Sequence, residues 1–297
     1  MNYNRKMKKE ITTVIAESQA LYWADDGFYT PEVGAWAETK YNLVHMYNQL
    51  FATGMKRIWD KRVYIDLFAG AGKARIRKTG KIVLASPMLA LTIADKYDRY
   101  IFCEENKKEF EALQARVAKE YPQVDAYFLL GDCNKIVDQI KRLIPRHSKA
   151  QKVLSFCFID PYALNIEFET IQELSSPYFV DFLILLAFAM DAKRNEAIYV
   201  DEKNQRINQF LGLPDWRSRW ESVKKKGKDF RRFLAEEFAK QMINLQYREE
   251  SLTTMIEMRS DDKNLPLYHL AFFSRHKKGY QFWNEVRKYA TRQPSLF

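Results

Sequence analysis

A short apolar run, Val63-Tyr64-Ile65, enters Asp66 and then a bend, Leu67-Phe68-Ala69-Gly70-Ala71-Gly72. Continuous apolar character of this kind marks a buried parallel strand, and glycines after it let the backbone approach a ligand because no Cβ intervenes. A phosphate-cradling P-loop needs a glycine five residues before its Gly-Lys pair and Ser or Thr after it. Leu67 and Ala74 stand at those places, so Gly72-Lys73 is not such a loop. A dinucleotide fingerprint needs a third glycine three residues beyond Gly72, where the chain has Arg75. What remains is an Asp-x-Phe-x-Gly-x-Gly turn, offering Asp66, Phe68, Gly70 and Gly72 to a nucleoside. Two acids follow the next apolar runs. Glu104 is placed to accept both hydroxyls of a ribose, and Asp132 to accept from an adenine amino group. A further run ends in Asp160-Pro161-Tyr162, a carboxylate and an aromatic ring at a strand end, where open α/β sheets face their ligands.

Other chemistries find less support. Cys103, Cys133 and Cys157 match no metal-ligand spacing, and no Pro-Cys pair is present to supply a nucleophile for cytosine C5. The four histidines form no cluster. No metal site is expected. Three scattered cysteines are also too few for a disulfide framework, so reduced thiols and a cytoplasmic location are the expectation. The start, MNYNRKMKKE, is basic but has no apolar stretch after it, so no export signal is read there. The longest apolar run, from Val180 to Met190, contains Asp181 and is too short to span a membrane.

The elements that would position these residues alternate. Helical spacing of Trp36, Tyr41, Val44, Tyr47 and Phe51 predicts a helix over 35–53. Strands are predicted over 62–67, 100–103, 126–130, 153–159 and within 179–189, with helices over 87–94 (Ser86 as N-cap), 107–121, 135–144 and 169–174 between them. Unbroken apolar strands alternating with helices predict an α/β fold with a doubly wound, mostly parallel sheet. Residues 191–248 read as a helical insertion after the fifth strand. Runs at 252–259 and 267–274 then close the sheet as an antiparallel hairpin, before a last helix over 280–289. The expected division is a basic lead-in (1–30), an α/β domain (31–190 and 249–290), the insertion (191–248) and a tail (291–297).

The net charge of +10 favours a polyanionic partner. The insertion holds fourteen Lys and Arg against nine Asp and Glu, so much of that excess is local. Lys193, Arg194, Arg217, Arg219, Lys224, Lys225, Lys226 and Lys228, with Trp216 and Trp220 between them, form the candidate nucleic-acid face. The chain ends in Gln293-Pro294-Ser295-Leu296-Phe297. This resembles the peptide by which bacterial repair and replication proteins dock on the DNA sliding clamp, with Leu296 and Phe297 filling an apolar cleft and Gln293 at its edge.

The Asp66-to-Gly72 turn resembles motif I of class I S-adenosylmethionine (SAM) methyltransferases, which implies a Rossmann-like methyltransferase fold with SAM as cofactor. Asp160-Pro161-Tyr162 resembles the Asp/Asn-Pro-Pro-Tyr/Phe motif of methyltransferases that act on base amino groups. It has one proline rather than two, so Tyr162 stands where the second proline would be and Ala163 where the aromatic would be. Longer stretches resemble the three-Cys-motif partner (TcmP) family of bacterial proteins: Val33 to Lys40, Phe51 to Lys56, Tyr64 to Gly72, Gly131 to Asn134, Cys157 to Pro161 and Met190 to Asn195. That resemblance implies a companion protein with a Cys-rich motif like that of radical SAM enzymes. The first expectation is therefore a SAM-dependent methyltransferase acting on DNA or RNA, with a base amino group as acceptor, in a repair or mobile-element setting. The second is a non-catalytic subunit that recruits the companion to DNA and the clamp. A small-molecule methyltransferase is the third.

Overall fold

The parallel strands form where apolar runs are unbroken. In the computed structural model, which describes residues 22–188, 195–248, 254–260 and 264–292, β2 (Lys61–Asp66) is buried from Arg62 onward. The strands β5 (Arg99–Glu104), β6 (Ala126–Leu130), β7 (Val153–Ile159) and β8 (Val180–Leu186) run parallel to it. β9 (Ile256–Arg259) and β10 (Pro266–Phe273) form the closing hairpin, and β10 pairs antiparallel with β8. The seven strands lie in the order β6-β5-β2-β7-β8-β10-β9. The chain leaves β2 for β5 on one side and later returns to β7 on the other. The switch point therefore falls at β2, the place where open α/β sheets bind ligands.

Helix α1 (Trp36–Met55) lies across one face of the sheet. Tyr47, fully buried, sets its ring 4.9 Å from that of Phe156 on β7 and 4.8 Å from that of Phe272 on β10. Replacing a ring packed this closely with alanine costs about 3–5 kcal/mol. Tyr47 also meets Trp283 of the last helix, α10 (Lys277–Arg292), at 6.2 Å. The connections α2 (Ser86–Thr92), α3 (Lys107–Glu120), α4 (Val137–Leu143) and α5 (Phe168–Ser175) occupy the predicted places. One cap differs: Ala85 is the N-cap residue of α2 and Ser86 lies inside the helix.

A small second sheet is new. β1 (Glu32–Val33) pairs parallel with β3 (Lys73–Ile76), which pairs antiparallel with β4 (Ile82–Leu84), and Trp23 bridges Ile82. A strap of residues 22–34 is thereby laid beside the glycine turn.

The insertion forms α6 (Glu196–Val200), α7 (Arg206–Leu211), α8 (Trp216–Lys224) and α9 (Phe230–Asn244). It packs directly on the sheet: the Phe238 ring lies 5.7 Å from Phe273 of β10 and 5.0 Å from Phe210. Lys193, Arg194, the clamp-like Gln293, Leu296 and Phe297, and the lead-in through residue 21 lie outside the described residues. Among the described residues, no helix is long and apolar enough to cross a membrane.

Candidate active site

The carboxyl ends of β2, β5 and β7 open into one cavity of about 390 Å³, within the size range of small-molecule sites. Phe68 and Gly70 line it from the turn after β2, Glu104 from the end of β5, and Asp160, Pro161 and Tyr162 from the end of β7. Gly70 has φ +63°, a left-handed conformation that the sequence meets with the one residue that adopts it freely.

Asp66, Gly72 and Asp132 are not among the lining residues, which corrects three expectations. Asp66 is buried under the turn. It accepts from the Tyr64 hydroxyl at 3.0 Å, from the Phe68 amide at 3.4 Å and from the Ser86 hydroxyl. Through these bonds it braces β2, the turn and α2 against one another. Gly72, φ +82°, is demanded by packing: a Cβ there would stand 2.9 Å from both Leu113 Cδ1 and Met88 Cγ. Asp132 accepts from the Asn134 amide at 3.0 Å and faces Lys135 at 3.5 Å, so it caps a turn. β6, which precedes it, is the edge strand, two places from β2.

The turn's amides are already engaged. Gly70 N donates to Glu104 Oε2 at 2.7 Å and Ala71 N to the Glu109 carboxylate, while Asn106 N, just after β5, donates to Glu104 Oε1 at 2.8 Å. This is the reverse of a phosphate cradle, where free amides face an anion. Each carboxylate oxygen of Glu104 keeps a further lone pair for a ribose hydroxyl. Glu104, Glu105, Glu109 and Asp160 all line the cavity, against Lys40 and Lys73. Both lysines are buried and paired: Lys73 lies 2.9 Å from Asp26 and 3.3 Å from Glu120, and Lys40 is hydrogen-bonded to Asp160 Oδ2. The cavity is therefore acidic and suits a cationic ligand.

Lys40 was not anticipated from sequence. It is 4% exposed, its ammonium 4.5 Å from the centre of the Tyr41 ring and 5.1 Å from that of Trp36. Trp36 in turn stacks on Tyr268 of β10 at 4.8 Å. One signal was available: Lys40 lies midway between Trp36 and Val44 at helical spacing, on the apolar stripe of α1. Asp160, expected to face an acceptor group, is thus paired with this cation. Tyr162, 74% exposed, stands free at the mouth.

Burial pushes Asp66, Glu109 and Asp181 up to about 7. Each then holds a proton in the folded protein at pH values where the unfolded chain has lost it. The stability this confers is complete below the ordinary carboxylate range and is lost as pH rises through about 7. The melting temperature is expected to fall between about pH 5 and about pH 8, and Asp66→Asn to make that fall shallower in a calorimetric pH series. Equal slopes for the two proteins would contradict the burial of a protonated Asp66.

The basic face of the insertion is smaller than expected. Arg217 donates to the carbonyls of Val200 (3.0 Å), Tyr199 (3.2 Å), Asp201 (2.7 Å) and Asn204 and to Asn208 Oδ1 (2.8 Å), so it holds α6, α7 and α8 together. Arg219 pairs with Asp215 at 2.8 Å and Glu237 at 3.2 Å, Lys224 with Glu196 at 3.2 Å, and Lys228 with Glu236. Trp216 and Trp220 are buried and cannot stack on a base. Lys225 and Lys226 remain exposed, with no ion pair among the described residues. Cys103, Cys133 and Cys157 are buried, and burial pushes their thiols well above the ordinary range, which leaves them unreactive. Among the described residues, no group of three or more His, Cys, Asp or Glu is arranged to hold a metal.

The strand order, with β10 inserted antiparallel beside β8, is that of a class I methyltransferase-like Rossmann fold. No family model matches the chain, and no curated protein matches it. Among solved structures it is similar to Trm1 from Pyrococcus horikoshii, determined with S-adenosyl-L-methionine, at 8% identity and a TM-score of 0.36, covering 80% of this chain and 57% of that one. It is also similar to the bifunctional kinase-methyltransferase WbdD, at 13% identity and a TM-score of 0.41, over 90% of this chain and 46% of that one. A geranyl diphosphate methyltransferase in complex with GPP and sinefungin matches at 8% identity and a TM-score of 0.39, over 77% of each chain.

Proposed function

We propose that the protein is a SAM-dependent methyltransferase acting on nucleic acid. The observation that carries this reading is the acidic cavity at the switch point, walled by Gly70 and Glu104. SAM bears a sulfonium and an ammonium group, and carboxylates around a bare-backbone turn favour such a cation. A dinucleotide or nucleoside triphosphate would set its phosphates against Glu104 and Glu105 instead. The residues present fit the cofactor: Gly70 leaves room for close approach, Glu104 retains acceptors for its ribose, and Phe68 offers an apolar wall. Bound there, SAM would supply an electrophilic methyl group. The chain's own part is to hold the acceptor at Asp160, Pro161 and Tyr162, and to keep bulk water from the floor with Trp36, Tyr41 and Tyr268.

Nucleic acid is the acceptor class favoured by the net charge of +10, by exposed Lys225 and Lys226, and by the exposed Tyr162 ring at the mouth. The resemblance to three-Cys-motif partner proteins adds a Cys-motif companion, and the Gln293-to-Phe297 peptide adds sliding-clamp docking in a repair or mobile-element setting. Transfer of labelled methyl from SAM to RNA or DNA tests the enzyme reading. Label entering neither polymer, while the companion, DNA and clamp still bind, would favour the non-catalytic recruiting subunit.

A further inference from the structure

The floor of the cavity pairs a donor with an acceptor, and that pairing bears on what can be methylated. α1 carries Lys40 to the carboxyl end of β7, where its ammonium meets Asp160 Oδ2. Both side chains line the cavity, and they are 5% and 13% exposed. A buried ion pair is costly to desolvate and adds little to stability over an apolar pair of the same shape. Here it stands beside the proposed methyl-transfer position, with the Trp36 and Tyr41 rings holding the cation in place. An ammonium has three N–H donors and a carboxylate about four lone-pair sites. Lys40 can therefore still donate, and Asp160 can still accept.

An exocyclic amino group fits this pair poorly. Its hydrogens need acceptors and its single lone pair must face the methyl group, so the nitrogen itself accepts nothing from Lys40, which could bond only a neighbouring ring atom of the base. A hydroxyl has two lone pairs and one hydrogen. It can accept from Lys40, donate to Asp160 and keep one lone pair for the methyl group. We propose that the acceptor is a hydroxyl held between Lys40 and Asp160, and that on a polynucleotide it is the ribose 2′-OH of RNA. This inference rests on the SAM reading of the cavity, and it selects RNA because the interior of a DNA strand carries no free hydroxyl. In the transfer step the hydroxyl oxygen forms the new C–O bond with one lone pair, leaves the C–S bonding pair on sulfur as a neutral thioether, and passes its proton to Asp160 and from there to water. Lys40 donates to the oxygen and orients it.

The first test needs no cofactor. The full chain is titrated with a short oligoribonucleotide and with its 2′-deoxy counterpart, followed by tryptophan fluorescence. The ribo form is expected to bind about tenfold more tightly, the worth of one hydrogen bond to a charged group. Lys40→Met is expected to bring the two affinities together. Asp160→Asn, which keeps the shape but removes the charge that strengthens the bond from the hydroxyl, is expected to narrow the ribo preference and serves as a second variant should Lys40→Met fail to fold. Nuclease digestion of RNA labelled from methyl-SAM is then expected to release a 2′-O-methyl nucleoside. Label on a base nitrogen, label in DNA, no label in RNA, or a ribo preference unchanged in both variants would each overturn the proposal. SAM binding measured in parallel separates the two levels: its absence fails the cofactor reading, whereas its presence with any of those results fails only the hydroxyl assignment.

Discussion

Arg116→Met is expected to destabilise the protein by about 3–5 kcal/mol, the cost of removing one partner from a buried ion pair. Arg116 is 0% exposed. Its guanidinium forms two bonds of 2.8 Å to the Asp26 carboxylate and donates to Thr30 Oγ1 at 2.8 Å. It also donates to the carbonyls of Tyr29 (2.9 Å), Phe28 (3.3 Å) and Ala71 (2.5 Å). One side chain thus fastens the 22–34 strap to the glycine turn. Methionine fills much of the volume but leaves Asp26 with Lys73 as its remaining ion-pair partner and strips the donor from Ala71. In thermal unfolding the loss is expected on the order of 10 °C. The pH dependence carries a second signature. Arg116, with help from Lys73, holds Asp26 well below the usual carboxylate range. The resulting stability is present above the unfolded pKa and is lost as pH falls through the folded one. The variant is therefore expected to show a smaller deficit in acid than at neutral pH. A deficit of under about 1 kcal/mol at neutral pH, the size of an exposed pair, would contradict the buried-clamp description.

Gly70→Asp is expected to lower SAM affinity by on the order of a hundredfold or more, the size of a misplaced buried charge in a binding site, while the chain still folds. The left-handed backbone at φ +63° costs about 1–2 kcal/mol for a residue with a Cβ, and Asp tolerates that region better than most. Its Cβ would stand 3.3 Å from Glu109 Oε2, and its carboxylate would occupy the place of the ligand among Glu104 and Glu109. Gly72→Ala separates folding from binding at the same turn. Its Cβ meets Leu113 and Met88 at 2.9 Å, away from the cavity. It is expected to cost about 2–3 kcal/mol of stability through overpacking and backbone strain, with SAM affinity much less changed in the folded fraction. Calorimetric melting and SAM titration of both variants check this contrast, and equal effects of the two substitutions on SAM affinity would contradict it.

The strands that build the site were legible because they are buried on both faces. β6 and β7 occupy the predicted residues, and the other parallel strands differ from expectation by a few residues at most. The β1-β3-β4 sheet was not legible, since its strands are two to four residues long and carry charged side chains at Glu32, Lys73 and Arg75. The turn residues were found from their types, but sequence does not say which side chains face inward. Asp66 and Gly72 lie behind the turn, and Asp132 follows an edge strand. The largest omission, Lys40, is a charged residue on an apolar helical stripe, and only the tertiary partner Asp160 reveals why it is there. The opposite error befell the insertion. A run of basic residues gives no view of the partners that occupy it: Arg219, Lys224 and Lys228 pair with acids of the insertion, and Arg217 is taken up by backbone carbonyls and Asn208.

Titration of the full chain with SAM by isothermal calorimetry addresses the cavity most directly. Saturable binding at one site per chain, weakened severely by Gly70→Asp and little by a change at the exposed Lys225, is the expected result. A folded chain that gives no saturable heat with SAM, or one whose affinity is indifferent to Gly70, would mean that the acidic cleft at the head of β2 serves some other ligand.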